Sequence, residues 1–64
     1  MSIGKQIKLY LIQNNISQAW LSEETKISPS KLSASLNDKR KLNVNEYARI
    51  INALNVEANE FIKV

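Results

Sequence analysis

ISPSKLSASLNDKRKL, residues 27–42, is the stretch on which the fold turns. Ser28-Pro29 marks a helix start. Serine caps the first free amide groups, and proline costs nothing at the first helical position, where its missing N–H has no intrahelical partner. Leu32 and Leu36 stand at i, i+4, the spacing of one inward stripe. Ser30, Lys31, Ser33, Ala34 and Ser35 are read as outward. A surface helix built for stability favours Glu, Lys, Ala and Gln, and each outward serine lowers helix propensity by about a few tenths of a kcal/mol. Small residues on an exposed face suit insertion into a groove better than burial in a core.

The charge distribution agrees. Residues 26–41 carry Lys26, Lys31, Lys39, Arg40 and Lys41 against Asp38 alone, a surplus of four, whereas the whole 64-residue chain carries +3. Cations gathered on and beside one helix fit a polyanionic partner. With no Cys and no His, the chain lacks disulfides, thiolate metal sites, the usual general base and the usual zinc ligand. It is therefore read as a non-enzyme needing no metal or cofactor. The longest apolar run, Leu9 to Ile12, falls far short of the roughly 20 residues of a membrane span. The N-terminus shows no signal-peptide core, so a cytoplasmic protein without a membrane partner is expected.

Working outward, each flanking segment reads as another short helix. Ser2 can cap a helix to about Gln13, with Ile3, Ile7, Tyr10 and Leu11 on one stripe and Asn14-Asn15 as its stop. Ser17 caps a second helix, SQAWLSEET, with Leu21 inward and Ile16 placed to staple onto it. Lys26-Ile27 is a very short link to the quoted helix, which ends at Leu36 or Asn37. Beyond the basic loop, Asn43 and Glu46 form an N-x-x-E capping box for a fourth helix bearing Tyr47, Ile50, Ile51 and Leu54, stopped by Asn55. A fifth short helix is expected over 57–62, contributing Phe61 and Ile62. The reading is all-α: one domain over 1–64, a compact five-helix bundle in which helices two and three have helix-turn-helix spacing.

Hydroxyls on such a helix can bond base edges, and an alanine methyl can pack on a thymine methyl. The N–H groups at the Ser28 cap suit a phosphate. From Ile7 to Phe61 the chain resembles the Cro/repressor-type, XRE-like helix-turn-helix domains of phages and bacteria, with their lambda-repressor-like fold. The resemblance is carried by Ile16-Ser17-Gln18, Leu21-Ser22, Ile27-Ser28, Leu32-Ser33 and Leu36-Asn37-Asp38-Lys39-Arg40. Tyr47-Ala48, Ile50, Ala53-Leu54-Asn55-Val56 and Glu60-Phe61 continue it. It implies that Pro29, Ser30, Lys31, Ser33 and Ala34 face the major groove. It also implies that Gln18 contacts a phosphate and that Lys39 and Arg40 grip the DNA backbone, to which position adds Ser28 and Lys41. Family members bind as pairs on partly palindromic operators with half-sites about one helical turn apart.

The sequence departs from the family pattern in places. Lys26 stands where the inter-helix turn usually has Gly, so a non-Gly residue is expected in the left-handed region at roughly 1 kcal/mol. Asp38 replaces a second Gly. Pro29 and Ala34 stand where Gln or Arg often reads bases, which shifts specificity toward DNA shape. Trp20 occupies a usually charged position. It either folds back over helix one or the basic loop, or contacts a partner protein or the DNA backbone. Trp20, Ile12, Leu9, Phe61, Ile62 and Val64 together exceed what one small core absorbs, and exposed apolar surface marks interaction sites. The C-terminal set is the expected surface of a weak homodimer assembling on DNA; a further C-terminal domain past Val64 is the other way to cover it. The function expected is a phage- or prophage-type transcriptional regulator, a repressor binding an operator in double-stranded DNA and nucleoid-associated when bound. The alternative is a protein-interaction module on the same fold (an antitoxin, antirepressor or adaptor) using Trp20 and the apolar residues of helix one.

Overall fold

A computed structural model describes residues 2–62. Four α-helices follow one another: α1 (Ile3–Gln13), α2 (Gln18–Thr25), α3 (Pro29–Leu36) and α4 (Val44–Leu54). Each begins at a side-chain cap. The hydroxyls of Ser2, Ser17 and Ser28 accept from the amides of Lys5, Trp20 and Lys31 at 3.2, 3.0 and 3.3 Å. At α4 the capping box closes in both directions, Glu46 N–H to Asn43 Oδ1 at 2.8 Å and Asn43 N–H to Glu46 Oε1 at 3.0 Å.

The helices stop without glycine. Asn15, Lys26, Asp38 and Asn55 all take positive φ, between 57° and 62°. At α1 the Ile16 amide reaches back to Leu11 O at 2.9 Å and Asn15 to Ile12 O at 3.3 Å; at α3 Lys39 reaches Ala34 O at 2.8 Å and Asp38 reaches Ser35 O at 3.4 Å. These paired bonds satisfy carbonyls that a helix end leaves open, and Asn and Asp tolerate the conformation better than other non-Gly residues. Lys26 lacks that tolerance and is held by its surroundings. Ser22 Oγ donates to Ile27 O at 2.5 Å, the Ile27 amide donates to Thr25 Oγ1 at 3.4 Å, and Arg49 Nη1 from α4 donates to Thr25 O at 3.3 Å. The turn between α2 and α3 is thus wired by side chains from α2 and α4.

The core comprises Ile7, Leu11, Leu21, Ile27, Leu32, Leu36, Ile50, Ile51, Leu54 and Phe61. α3 packs against both α1 and α2, and α2 also packs against α4. Three expectations are corrected here. Residues 57–62 form turns rather than a fifth helix: Glu60 bonds to Glu57 O at 3.0 Å and Ile62 to Asn59 O at 3.2 Å. The carbonyl of Ala58, which an α-helix would offer to Ile62, instead accepts from Tyr47 Oη at 2.7 Å. Phe61 is no surface residue; it is 3% exposed and meets Tyr10 edge-on at 5.5 Å between ring centroids. Ser35 is not outward but 2% exposed. Its hydroxyl donates to Lys31 O and accepts from Arg40 Nη1, at 3.0 and 2.9 Å.

The burial of Ser35 has a partner in Gly4. A Cβ added at Gly4 would lie 2.1 Å from Ser35 O, so the backbones of α1 and α3 touch here and position 4 has no room for a side chain. The Ser2 hydroxyl, from the cap of α1, donates to the Asp38 carboxylate just past α3. Lys8 Nζ adds a bond to Asn37 Oδ1 at 2.7 Å. These contacts lock α1 along α3.

Candidate nucleic-acid interface

Eight residues of α3 present two different faces. Leu32, Ser35 and Leu36 are buried, while Pro29, Ser30, Lys31 and Ser33 are exposed and Ala34 is half-buried. At about 100° per residue, Ser30, Ser33, Ala34 and Asn37 fall on one stripe. That stripe forms one wall of an open groove whose other wall is Lys5, Lys8, Leu9 and Ile12, the corresponding i, i+3, i+4, i+7 stripe of α1, with Lys39 also at its edge. The charged side chains lining this groove are all lysines.

The groove brings together Ser30, Ser33, Ala34 and Lys39 from the sequence expectation. It adds Lys5 and Lys8, which sequence reasoning missed. Their spacing beside exposed Leu9 and Ile12 was visible, but nothing in the sequence said that this stripe would run along α3. Lys31 is not among the groove residues. It stands on the flank of α3 toward α4, near enough that its positive charge helps lower the Glu46 pKa.

Arg40 is engaged inside the protein. One guanidinium nitrogen donates to Ser35 Oγ and the other pairs with Glu46 Oε2 at 2.7 Å. The Arg40 hydrogen bond and the Asn43 amide hold the Glu46 carboxyl below the usual carboxylate range, against the opposing effect of burial. The same bond raises the Arg40 pKa above its ordinary value. Arg40 therefore joins the end of α3 to the start of α4, and it leaves Lys39 and Lys41 exposed on either side of it.

Gln18 begins α2 and is half-buried, whereas Ser28, at the start of α3, is exposed with its hydroxyl committed to the Lys31 amide. Trp20, 42% exposed, stands beside Asn15, Ile16 and Ser17 at the α1–α2 turn rather than over the basic loop. Ile12 and Ile62 are 63% and 47% exposed. Val64 lies outside the described residues. Among the described residues no cluster of acidic side chains could hold a metal ion, and no helix is long and apolar enough to cross a membrane.

A family model described as a helix-turn-helix domain matches residues 4–64. The chain belongs to that family, whose fold is one of DNA-binding regulators. No curated protein and no solved structure gave a match.

Proposed function

From that membership we propose that the chain is a sequence-specific transcriptional regulator, a phage- or prophage-type repressor that binds a palindromic operator as two copies. The observation that carries this reading is α3 itself: an exposed face of small hydroxyl residues, capped by Ser28, beside a rim of lysines from two other segments. Small side chains let the helix axis approach the floor of the major groove, where Ser30 and Ser33 bond base edges and Ala34 meets a thymine methyl. Pro29 leads the helix in. Lys31, long and on the flank, reaches a guanine edge. Gln18, the amides at the Ser28 cap, Lys39 and Lys41 take phosphates, and Lys5 and Lys8 extend that set. Arg40, bound to Ser35 and Glu46, acts by holding the basic loop in place.

Pairing follows from size. A single module buries about 600–1,000 Å² on DNA, less than repressor affinities around 10⁻⁸ M generally need. Two copies on adjacent half-sites make the second contact effectively intramolecular. Ile62 is the described apolar residue favoured for the contact between copies, ahead of Trp20 and Ile12. Binding to duplex DNA at rising salt tests the reading. Each phosphate neutralised contributes about −0.9 to the slope of log affinity on log salt, so four lysines per copy give roughly −7 for a pair. A slope near zero, or no duplex binding at low salt, refutes it.

A further inference from the structure

The groove between α1 and α3 holds more than a phosphate backbone can use. Leu9 is 44% exposed and Ile12 63%, and with Ala34 they form an apolar strip along its length. Leu9 and Ile12 stand on α1, away from the helix assigned to the base edges, and aliphatic side chains there gain nothing from a phosphodiester. Lys5 and Lys8 share the α1 stripe with Leu9 and Ile12, Lys8 Nζ donating across the groove to Asn37 Oδ1 at 2.7 Å, and Lys39 stands at the α3 side. Exposed aliphatic side chains interspersed with lysines, and no acidic residue among them, are complementary to a helix that carries an aliphatic stripe alongside carboxylates.

We propose that this groove docks an acidic amphipathic helix of a partner protein. The occupant lays its aliphatic stripe on Leu9, Ile12 and Ala34 and pairs its carboxylates with Lys5, Lys8 and Lys39. It thereby covers Ser30 and Ser33, so partner and operator exclude one another. That exclusion rests on the DNA-binding reading; the docking itself does not. A negatively charged helix in this position takes the place of the DNA, and its arrival releases the operator. Regulation then needs no second site and no conformational change.

The test uses the full chain, ¹⁵N-labelled, and a synthetic helical peptide of about four turns with Leu at i, i+4 and i+7 and Glu on both flanks. Amide shifts are expected at Leu9, Ile12, Ser30, Ser33 and Ala34. A peptide with Lys in place of Glu should bind at least tenfold more weakly. The double variant Leu9→Ser/Ile12→Ser, at two exposed positions, should also lose at least tenfold in peptide affinity while keeping its fold and duplex affinity. Lys5→Glu should weaken peptide binding with the apolar strip intact. Peptide binding that maps to Trp20, or is indifferent to Glu against Lys, overturns the proposal, as does no binding at millimolar peptide. If the Leu9/Ile12 variant loses duplex affinity instead, the strip serves DNA and the protein-docking assignment is wrong. Docking without any duplex binding would sustain the groove assignment and remove only the operator.

Discussion

Gly4→Ala is the smallest change that tests how α1 is fixed against α3. The added methyl would sit 2.1 Å from the Ser35 carbonyl oxygen, 3.1 Å from its carbon and 3.5 Å from Leu36 Cα. All three are backbone atoms, so no rotamer change relieves the overlap, and α1 must back away by more than an ångström. That movement strains the bond from Ser2 to Asp38 and the one from Lys8 to Asn37. Two effects compete. Replacing Gly by Ala inside a helix gains up to about 1 kcal/mol, less in a first turn such as this. Overpacking a close contact costs typically about 1–3 kcal/mol, because packed interiors deform little. The clash should win by about 1–2 kcal/mol. A chain this size has a total stability of roughly 3–10 kcal/mol, and each kcal/mol moves Tm by about 4–8 °C, so a fall of about 5–15 °C is expected. Thermal melts followed by circular dichroism, with urea titration for the free energy, measure it. Adding Ser35→Ala should not rescue the variant, since the opposing atoms belong to the main chain. A Gly4→Ala protein as stable as the parent, or more stable by the helix-propensity gain, would show that α1 and α3 are not in backbone contact.

Three further outcomes follow from the same structure. Phe61→Ala removes a core ring packed on Tyr10 and should cost about 3–5 kcal/mol, enough to abolish a cooperative melt in a chain this small; a loss under about 1 kcal/mol would return Phe61 to the surface. Glu46 has a folded pKa below its unfolded value, so the stability it contributes is fully present above the ordinary carboxylate pKa of about 4.3 and disappears as pH falls through the lower folded value. Glu46→Gln should therefore flatten the loss of stability from about pH 5 downward, and an unchanged profile would mean that the Arg40–Glu46 pair does not persist in solution. Ile62→Glu should leave the melt unchanged and weaken cooperative binding to a two-half-site duplex; intact cooperativity there, with Trp20→Glu abolishing it, would move the contact between copies to the α1–α2 turn.

Local signals carried most of the fold. Ser2, Ser17, Ser28 and Asn43 each cap the helix that their sequence context predicts, because a cap is a bond within four residues and needs no knowledge of the rest of the chain. The left-handed Lys26 was legible only through the family resemblance, which has Gly at that turn, and Asp38, standing where the family has a second Gly, is left-handed as well. What was not legible depends on contacts between distant segments. Ser35 looks outward on a wheel centred on Leu32 and Leu36, but α3 is packed from two sides and buries a wider arc. Gly4 is close to Ser35 only in three dimensions. The expected fifth helix closes instead as turns, Glu60 bonding to Glu57 O and Ile62 to Asn59 O, with Tyr47, eleven residues before Ala58, bonded to the Ala58 carbonyl from α4. At the candidate site, Ser30, Ser33 and Ala34 were readable from their size and position, whereas Lys5 and Lys8 join them only through the alignment of α1 with α3. Arg40 resembles a phosphate contact in sequence, and its engagement with Ser35 and Glu46 depends on where α4 begins.

The most direct test of base reading by α3 is a selection of bound duplexes from a random pool, run in parallel on the parent chain and on Ser30→Ala/Lys31→Ala/Ser33→Ala. The parent should enrich a two-fold symmetric site with half-site centres about 10–10.5 base pairs apart. The triple variant should retain salt-dependent affinity for any duplex through Lys5, Lys8, Lys39 and Lys41, yet enrich no sequence, each lost base contact being worth about 1–3 kcal/mol of discrimination. A parent chain that enriches nothing, or a triple variant that enriches the same site as the parent, contradicts the assignment of α3 as the reading helix.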